Sequence, residues 1–364
     1  MRTASLLLLL SVVIVAAVQS LSAQNLAVGD CRPGLASYST ISAAVSAAAP
    51  NSTVFVCPGT YPEQVTITTP LTLEGMRNAT TTFPVITVPS GGISASNGNA
   101  AQVLVQGTDS FSGFGPVIIR NLVIDGDGSG FDCSTGYFLS GVNYVNSSGS
   151  LNRLEVRNQN PGGCGVGVFL EGSPLAVDTV NVLNCNIHDF DNTGVYAGSP
   201  GSVGFFVNLS SNFVVSDSPA VQAGVHYAFT DGAAKNNTIV VVSGQFGLQL
   251  ENFYGHVSAR YNTVSGGQVG ILSSSSYGNF IIANNLSNNG TGILVGSFSG
   301  NDMVGWNTVS TSATAAIDLG CAPYTVAQSN TVYGAPIGVA NVGSGDKVMQ
   351  NTFFGVSTAT TSCQ

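Results

Sequence analysis

Charged side chains make up only 7% of this 364-residue sequence, so the place where several fall together is the first place to look for chemistry. Glu155, Arg157, His188, Asp189 and Asp191 are such a group, with Asp125 and Asp127 about one repeat earlier. Carboxylates with an imidazole and a guanidinium in reach are the groups of general acid–base chemistry. Two carboxylates roughly 5–9.5 Å apart are the arrangement of glycoside cleavage. These five residues are therefore the candidate catalytic set. Tyr137, Tyr144 and Tyr196 lie in the same stretch and are candidate substrate-binding residues that could stack on pyranose rings. The same charges also fit a solvated salt-bridge ladder, which is worth little energetically.

Metal chemistry has one candidate. Asp125-Gly-Asp127-Gly-Ser129-Gly130 fits the first six positions of a calcium loop, with oxygens at one, three and five and glycine at six. Position twelve is Gly136, where a bidentate Glu belongs, so a polar glycine-rich turn competes with calcium. No other cofactor is expected. His188, His226 and His256 show no metal-ligand spacing, which argues against zinc and copper. No glycine-rich loop leads into a helix, so nucleotide binding has no support.

The N-terminus reads as a leader. Arg2, an apolar run from Leu6 to Val18, and small residues at Ser20, Ser22 and Ala23 have the pattern of a secretory signal peptide. The run is too short to span a bilayer, and no later stretch approaches that length. Losing Arg2 takes the 9 basic residues to 8 against 18 acidic ones, a charge near −10. That field excludes non-specific nucleic-acid binding and disfavours anionic membranes. The mature chain is expected to be secreted or periplasmic, with no membrane insertion, and seven cysteines in such a chain read as disulfides. Cys31–Cys57, Cys133–Cys164 and Cys321–Cys363 are the expected pairs, leaving Cys185 as a small buried thiol.

Positioning these groups requires a repeat. Asn recurs at 186, 212, 237, 262, 285, 307, 330 and 351, often followed by Thr and an apolar residue. A second column reads Gly194-Val, Gly247-Leu, Gly270-Ile, Gly292-Ile and Gly338-Val. No segment beyond residue 50 has a helical period long enough for crossover helices. Three short strands per 21–26-residue period is the coil of a parallel β-helix, which buries its faces only by stacking. The expected fold is all-β, a solenoid of about ten coils, with stacked Asn amides bonded along one bend. Ser39 can cap a helix with Ile41, Ala44, Val45 and Ala48 on its apolar face, covering the open N-terminal end. Residues 1–23 are then leader and 24–364 one domain, with cap and first coils over 31–98 and regular coils over 99–364.

Tyr38-Ser-Thr-Ile-Ser-Ala-Ala-Val, Val54-Phe-Val-Cys-Pro-Gly-Thr-Tyr-Pro-Glu-Gln-Val-Thr-Ile and Leu71-Thr-Leu-Glu-Gly resemble the opening of pectin-lyase-like β-helix proteins. That superfamily includes pectinesterases and many secreted bacterial proteins, and the resemblance implies a right-handed coil. The Gln-Asp, Asp-Phe-Ile-Phe-Gly-like and Arg-Pro-Trp motifs of pectinesterases are missing. So are the Asn-Thr-Asp, Asp-Asp, Gly-His-Gly and Arg-Ile-Lys motifs of polygalacturonases. The resemblance leaves two expectations. One is a chain that engages polysaccharide, by binding or by lyase- or hydrolase-type cleavage. The other is a non-catalytic structural or adhesive rod.

Overall fold

The computed structural model describes residues 23–77, 82–95, 100–107, 115–172, 177–199, 204–251 and 256–363, so the expected leader, apart from Ala23, lies outside the described residues. Short strands of alternating buried and outward residues, such as Asp178–Leu183, follow from a period-two pattern of Val, Ile and Leu. They stack into three parallel sheets of 14, 12 and 12 strands, in which neighbours come from successive turns of the chain. The first sheet ends at Lys347–Met349, the second runs from Thr60–Pro62 to Thr352–Phe354, and the third from Val65–Ile67 to Thr358–Ser362. A single hydrophobic column fills the interior from Leu26 to Val339.

About twelve coils are present, where the repeat count suggested about ten. The early coils carry no Asn at the bend that was counted. There, Leu122, Leu154 and Cys185 occupy the position taken later by Asn, each immediately preceding a second-sheet strand. From that point the ladder runs Asn212, Asn237, Asn262, Asn284, Asn307, Asn330 and Asn351. From Asn237 onward each Oδ1 accepts from the backbone N–H and Nδ2 of the Asn one coil before, as Asn284 does from Asn262 at 2.9 Å each. Two members of the expected column, Asn186 and Asn285, are instead first residues of strands and stand outside the ladder. The buried Cys185 thiol sits at its start, where the Cys185 N–H donates to Asn212 Oδ1.

The ladder also explains an unusual backbone. The residue before each ladder position is left-handed, including Tyr261, Ala283 and Trp306 at φ 57, 55 and 56°. A left-handed non-glycine residue costs about 1–2 kcal/mol, and the amide bonds at the next residue hold the bend there.

The N-terminal end is covered as expected, with one difference in the cap. Helix α1, Ile41–Ala47, is capped by Thr40, whose Oγ1 accepts from Ala43 N–H, and not by Ser39. Glu63 reinforces it, accepting from the Ile41 and Ser42 N–H groups at 2.8 and 2.9 Å. Ile41, Ala44 and Val45 face the coil, and Asn25–Val28 and Ala36–Tyr38 extend the first sheet beneath them. All three expected disulfides are formed: Cys31–Cys57, Cys133–Cys164 and Cys321–Cys363. The last of them ties down the final strand, while Phe354 on the terminal coil remains 51% exposed.

One bend between the third and first sheets carries a buried carboxyl. Asp302 accepts from Gly278 and Asn279 N–H and from Ser273 Oγ at 3.0, 2.8 and 2.6 Å. Burial nevertheless pushes its pKa up to about 6. A raised folded-state pKa contributes stability that is complete below the unfolded value and is lost as pH rises through the folded value. Relative to Asp302→Asn, which stays neutral, wild-type melting temperature should therefore be most favourable below about pH 4, decline as pH rises to about 6 and level off above it. A difference between the two proteins that does not change with pH would contradict this assignment.

Candidate functional site

The expected charged cluster lies on the second sheet, in the strands Val123–Asp125, Glu155–Arg157 and Asn186–His188. The register pairs Asp125 with Arg157 and Arg157 with His188, and Glu155 pairs with Asn186. Glu155 and His188 therefore stand two positions apart along their strands. The side chains satisfy one another. Arg157 donates from Nε to Asp125 Oδ2 at 2.9 Å and from Nη1 to Glu155 Oε1 at 2.7 Å. His188 bridges Asp189 at 2.7 Å and Glu155 at 3.4 Å. Burial pushes the Asp125 carboxyl up, but hydrogen bonds from Asn158, the Asp127 N–H and Arg157 outweigh it and hold the pKa below the usual range. Asp125 stays ionised, the opposite of what a general acid needs.

Asp191 is turned away from this cluster. It is buried and accepts from Gly162, Gly163 and Gly165 N–H groups at 2.6, 2.7 and 2.6 Å, anchoring the segment that Cys164 closes. At the calcium-like turn, Asp125 is engaged by Arg157, Asn158 and the Asp127 N–H, and Ser129 is buried. Among the described residues no three His, Cys, Asp or Glu side chains are grouped as metal ligands. Tyr144 is a correction: it lies wholly inside the coil, its hydroxyl donating to Val117 O at 2.9 Å, and cannot meet a sugar. Its strand alternates faces, and position 144 falls on the inner one.

Tyr196 and Tyr137 lead to a different face. Outward residues of successive third-sheet strands are in register as Asn143, Phe169, Tyr196, His226 and Gln249. Phe169 and Tyr196 stack with ring centroids 4.7 Å apart, Phe138 lies 6.4 Å from Phe169, and His226 meets Tyr196 edge-on at 5.2 Å. Tyr137, 41% exposed, directly precedes Phe138. Around this column lies an open cleft of about 530 Å³ lined also by Asn192, Gln222 and Phe246. His226 Nε2 is 3.2 Å from Glu251 Oε2, which also accepts from Gln249 at 3.4 Å. The hydrogen bond from His226 holds the Glu251 carboxyl below its usual pKa against burial. Because the rings pack on one another, their edges are what remains for a ligand, forming an apolar wall beside a row of amides.

Phe138, Phe169, Gln249 and Glu251 were not singled out from sequence, and His226 was weighed only as a metal ligand. A signal existed: Phe169, Tyr196, His226 and Gln249 each lie two residues after a glycine, at 167, 194, 224 and 247.

Residues 186–362, just under half of the chain, match the family model described as periplasmic copper-binding protein (NosD). No curated protein matches the chain by sequence. Among solved structures, the A-module of a mannuronan C-5 epimerase from Azotobacter vinelandii superposes with a TM-score of 0.60 at 14% identity, covering 85% of this chain and 89% of that one. The surface adhesin PfbA of Streptococcus pneumoniae gives 0.57 at 13% identity, over 84% and 83% of the two chains. At such identities the likeness is one of fold alone. The stacked parallel sheets and these superpositions give the chain a pectin-lyase-like parallel β-helix fold, and its residues 186–362 match the NosD family model.

Proposed function

We propose that the chain works outside the cytoplasm, secreted or periplasmic, as a right-handed β-helix that engages polysaccharide along the third-sheet cleft. Three disulfides mark an oxidising compartment, and parallel crossovers are right-handed in nearly all proteins. The observation that carries the reading is the Phe138, Phe169, Tyr196 and His226 column, bordered by Asn192, Gln222 and Gln249. An apolar wall with convergent amides is how a concave site takes a ligand that is apolar on its ring and polar at its hydroxyls. Binding is favoured over hydrolysis by a carboxylate pair. Glu171 and Glu251 are separated by three strand-to-strand steps, or about 14 Å, beyond the roughly 5–9.5 Å of glycoside hydrolysis.

Glu155, Arg157, His188 and Asp189 are read as a stabilising ladder on a different sheet. The name of the matching family points to copper, and the described residues do not fit such a centre. His188 and His226 stand on the second and third sheets, His256 precedes a first-sheet strand, and no ligand group of three His, Cys, Asp or Glu forms among the described residues. Burial pushes the Cys185 thiol up to about 12, so no thiolate is offered.

The test is a glycan array followed by titration of the best hit. Tyr196→Ala and Phe169→Ala should each weaken binding about 10-fold, as truncation of an aromatic anchor costs roughly 1–2 kcal/mol. Glu155→Gln and Asp189→Asn should leave affinity unchanged. Loss of binding in the second pair with retention in the first would move the site to the second sheet.

A further inference from the structure

The β-helix sorts charge by face. None of the twelve third-sheet strands contains Lys or Arg. Cations stand elsewhere: Arg120, Lys235, Arg260 and Lys347 are on the first sheet and Arg157 is on the second. Arg120 and Arg157 are moreover neutralised by Glu74 and by Asp125 and Glu155.

Carboxylates flank the aromatic column of the third sheet, beside the residues that line the cleft. Glu171 lies two residues after Phe169 and Glu251 two residues after Gln249. The register puts both in one row, Glu171, Gly198, Ala228 and Glu251. Between them lies the Tyr196 phenol, whose pKa is raised by burial and then by the charges of Glu171 and Glu251. His226, the one side chain in the column that can carry positive charge, is engaged with Glu251.

A uronate or sulfated chain laid along this column would bring a negative charge beside these carboxylates at nearly every sugar, with no cation on the sheet to meet it. Like charges juxtaposed across a contact oppose binding strongly and are a means of rejecting wrong partners. An uncharged chain meets no such opposition, and an ammonium would be drawn to the carboxylates. We propose that the third-sheet cleft selects uncharged or amine-bearing glycans and rejects polyuronates and sulfated glycans. This rests on the polysaccharide reading of the cleft, and it names the class within it.

The experiment uses the intact disulfide-bonded protein and glycan arrays of matched backbones in neutral, amino-sugar and uronate forms, with affinities measured at about 20 mM and about 300 mM salt. At low salt the neutral and amino forms should bind at least about 10-fold more tightly than the uronate of the same backbone. High salt should narrow that gap, and so should Glu171→Gln with Glu251→Gln, a variant whose melting temperature is checked beside it. A uronate that binds as tightly as its neutral counterpart, or a gap unmoved by the double variant, overturns the selectivity while polysaccharide binding stands. Absence of binding to any backbone in any form removes the polysaccharide reading and the selectivity together.

Discussion

Asn284→Ala is expected to lower the stability of the coil by about 4 kcal/mol, whereas Asn285→Ala, one residue away, should change it by less than about 0.5 kcal/mol. Asn284 is buried, and its Oδ1 takes the N–H and Nδ2 of Asn262 while its Nδ2 donates to Ala259 O and Asn307 Oδ1 at 3.0 Å each. Removing the amide strands the buried Asn262 N–H and the Ala259 carbonyl, and each orphaned buried group costs about 1–3 kcal/mol. Asn285 begins the next strand with an exposed side chain. Urea denaturation of the two variants at constant m-value reads the difference directly. Equal midpoints would refute the ladder register. Asn289 would be a poor control, because it too is buried, accepting from Gly267 N–H and donating to Val264 O at 3.2 Å each.

Gly224→Ala should be nearly as damaging, about 3 kcal/mol, and should also weaken glycan binding. A Cβ at position 224 would stand 2.5 Å from Ile239 Cγ2 and 2.8 Å from the carbonyl oxygen of Gly247 on the next coil. The same double obstruction faces Gly194, at 2.4 Å from Val214 Cγ1 and 2.5 Å from Gly224 O, and Gly247, at 2.3 Å from Val264 Cγ1 and 2.7 Å from Gly270 O. A rotamer change relieves the first contact, but the second is backbone and moves only if the coils separate, so overpacking is not absorbed locally. His226 is two residues further along the same strand and would shift with it. Gly91→Ala, where nothing lies within 4 Å, is the matched substitution expected to be tolerated. The measurements are the urea midpoint and the affinity for the best glycan, and a Gly224→Ala protein with unchanged values for both would show that the glycine column is not a packing constraint.

What could be read from the residues alone was whatever repeats or lies close in sequence. The period of Asn and Gly implied a stacked coil because each 21–26-residue interval holds short strand patterns and no helical one. The three disulfides were legible because each pair lies within about two repeats, and stacking brings such residues within bonding distance. Register was decided only in three dimensions. Loops between strands vary in length, so the outward column Phe169, Tyr196, His226 and Gln249 has spacings of 27, 30 and 23 residues and no visible period. The pleat makes a shift of one residue exchange inside for outside. That exchange buried Tyr144, took Asn284 rather than Asn285 into the ladder, and set Tyr196 beside Phe169 and His226 on the third sheet, away from the second-sheet charges near it in sequence. Composition placed scarce charges in one stretch of chain, but the hydrogen bonds among them, and hence which face remained available to a ligand, depended on which coil each strand lay against.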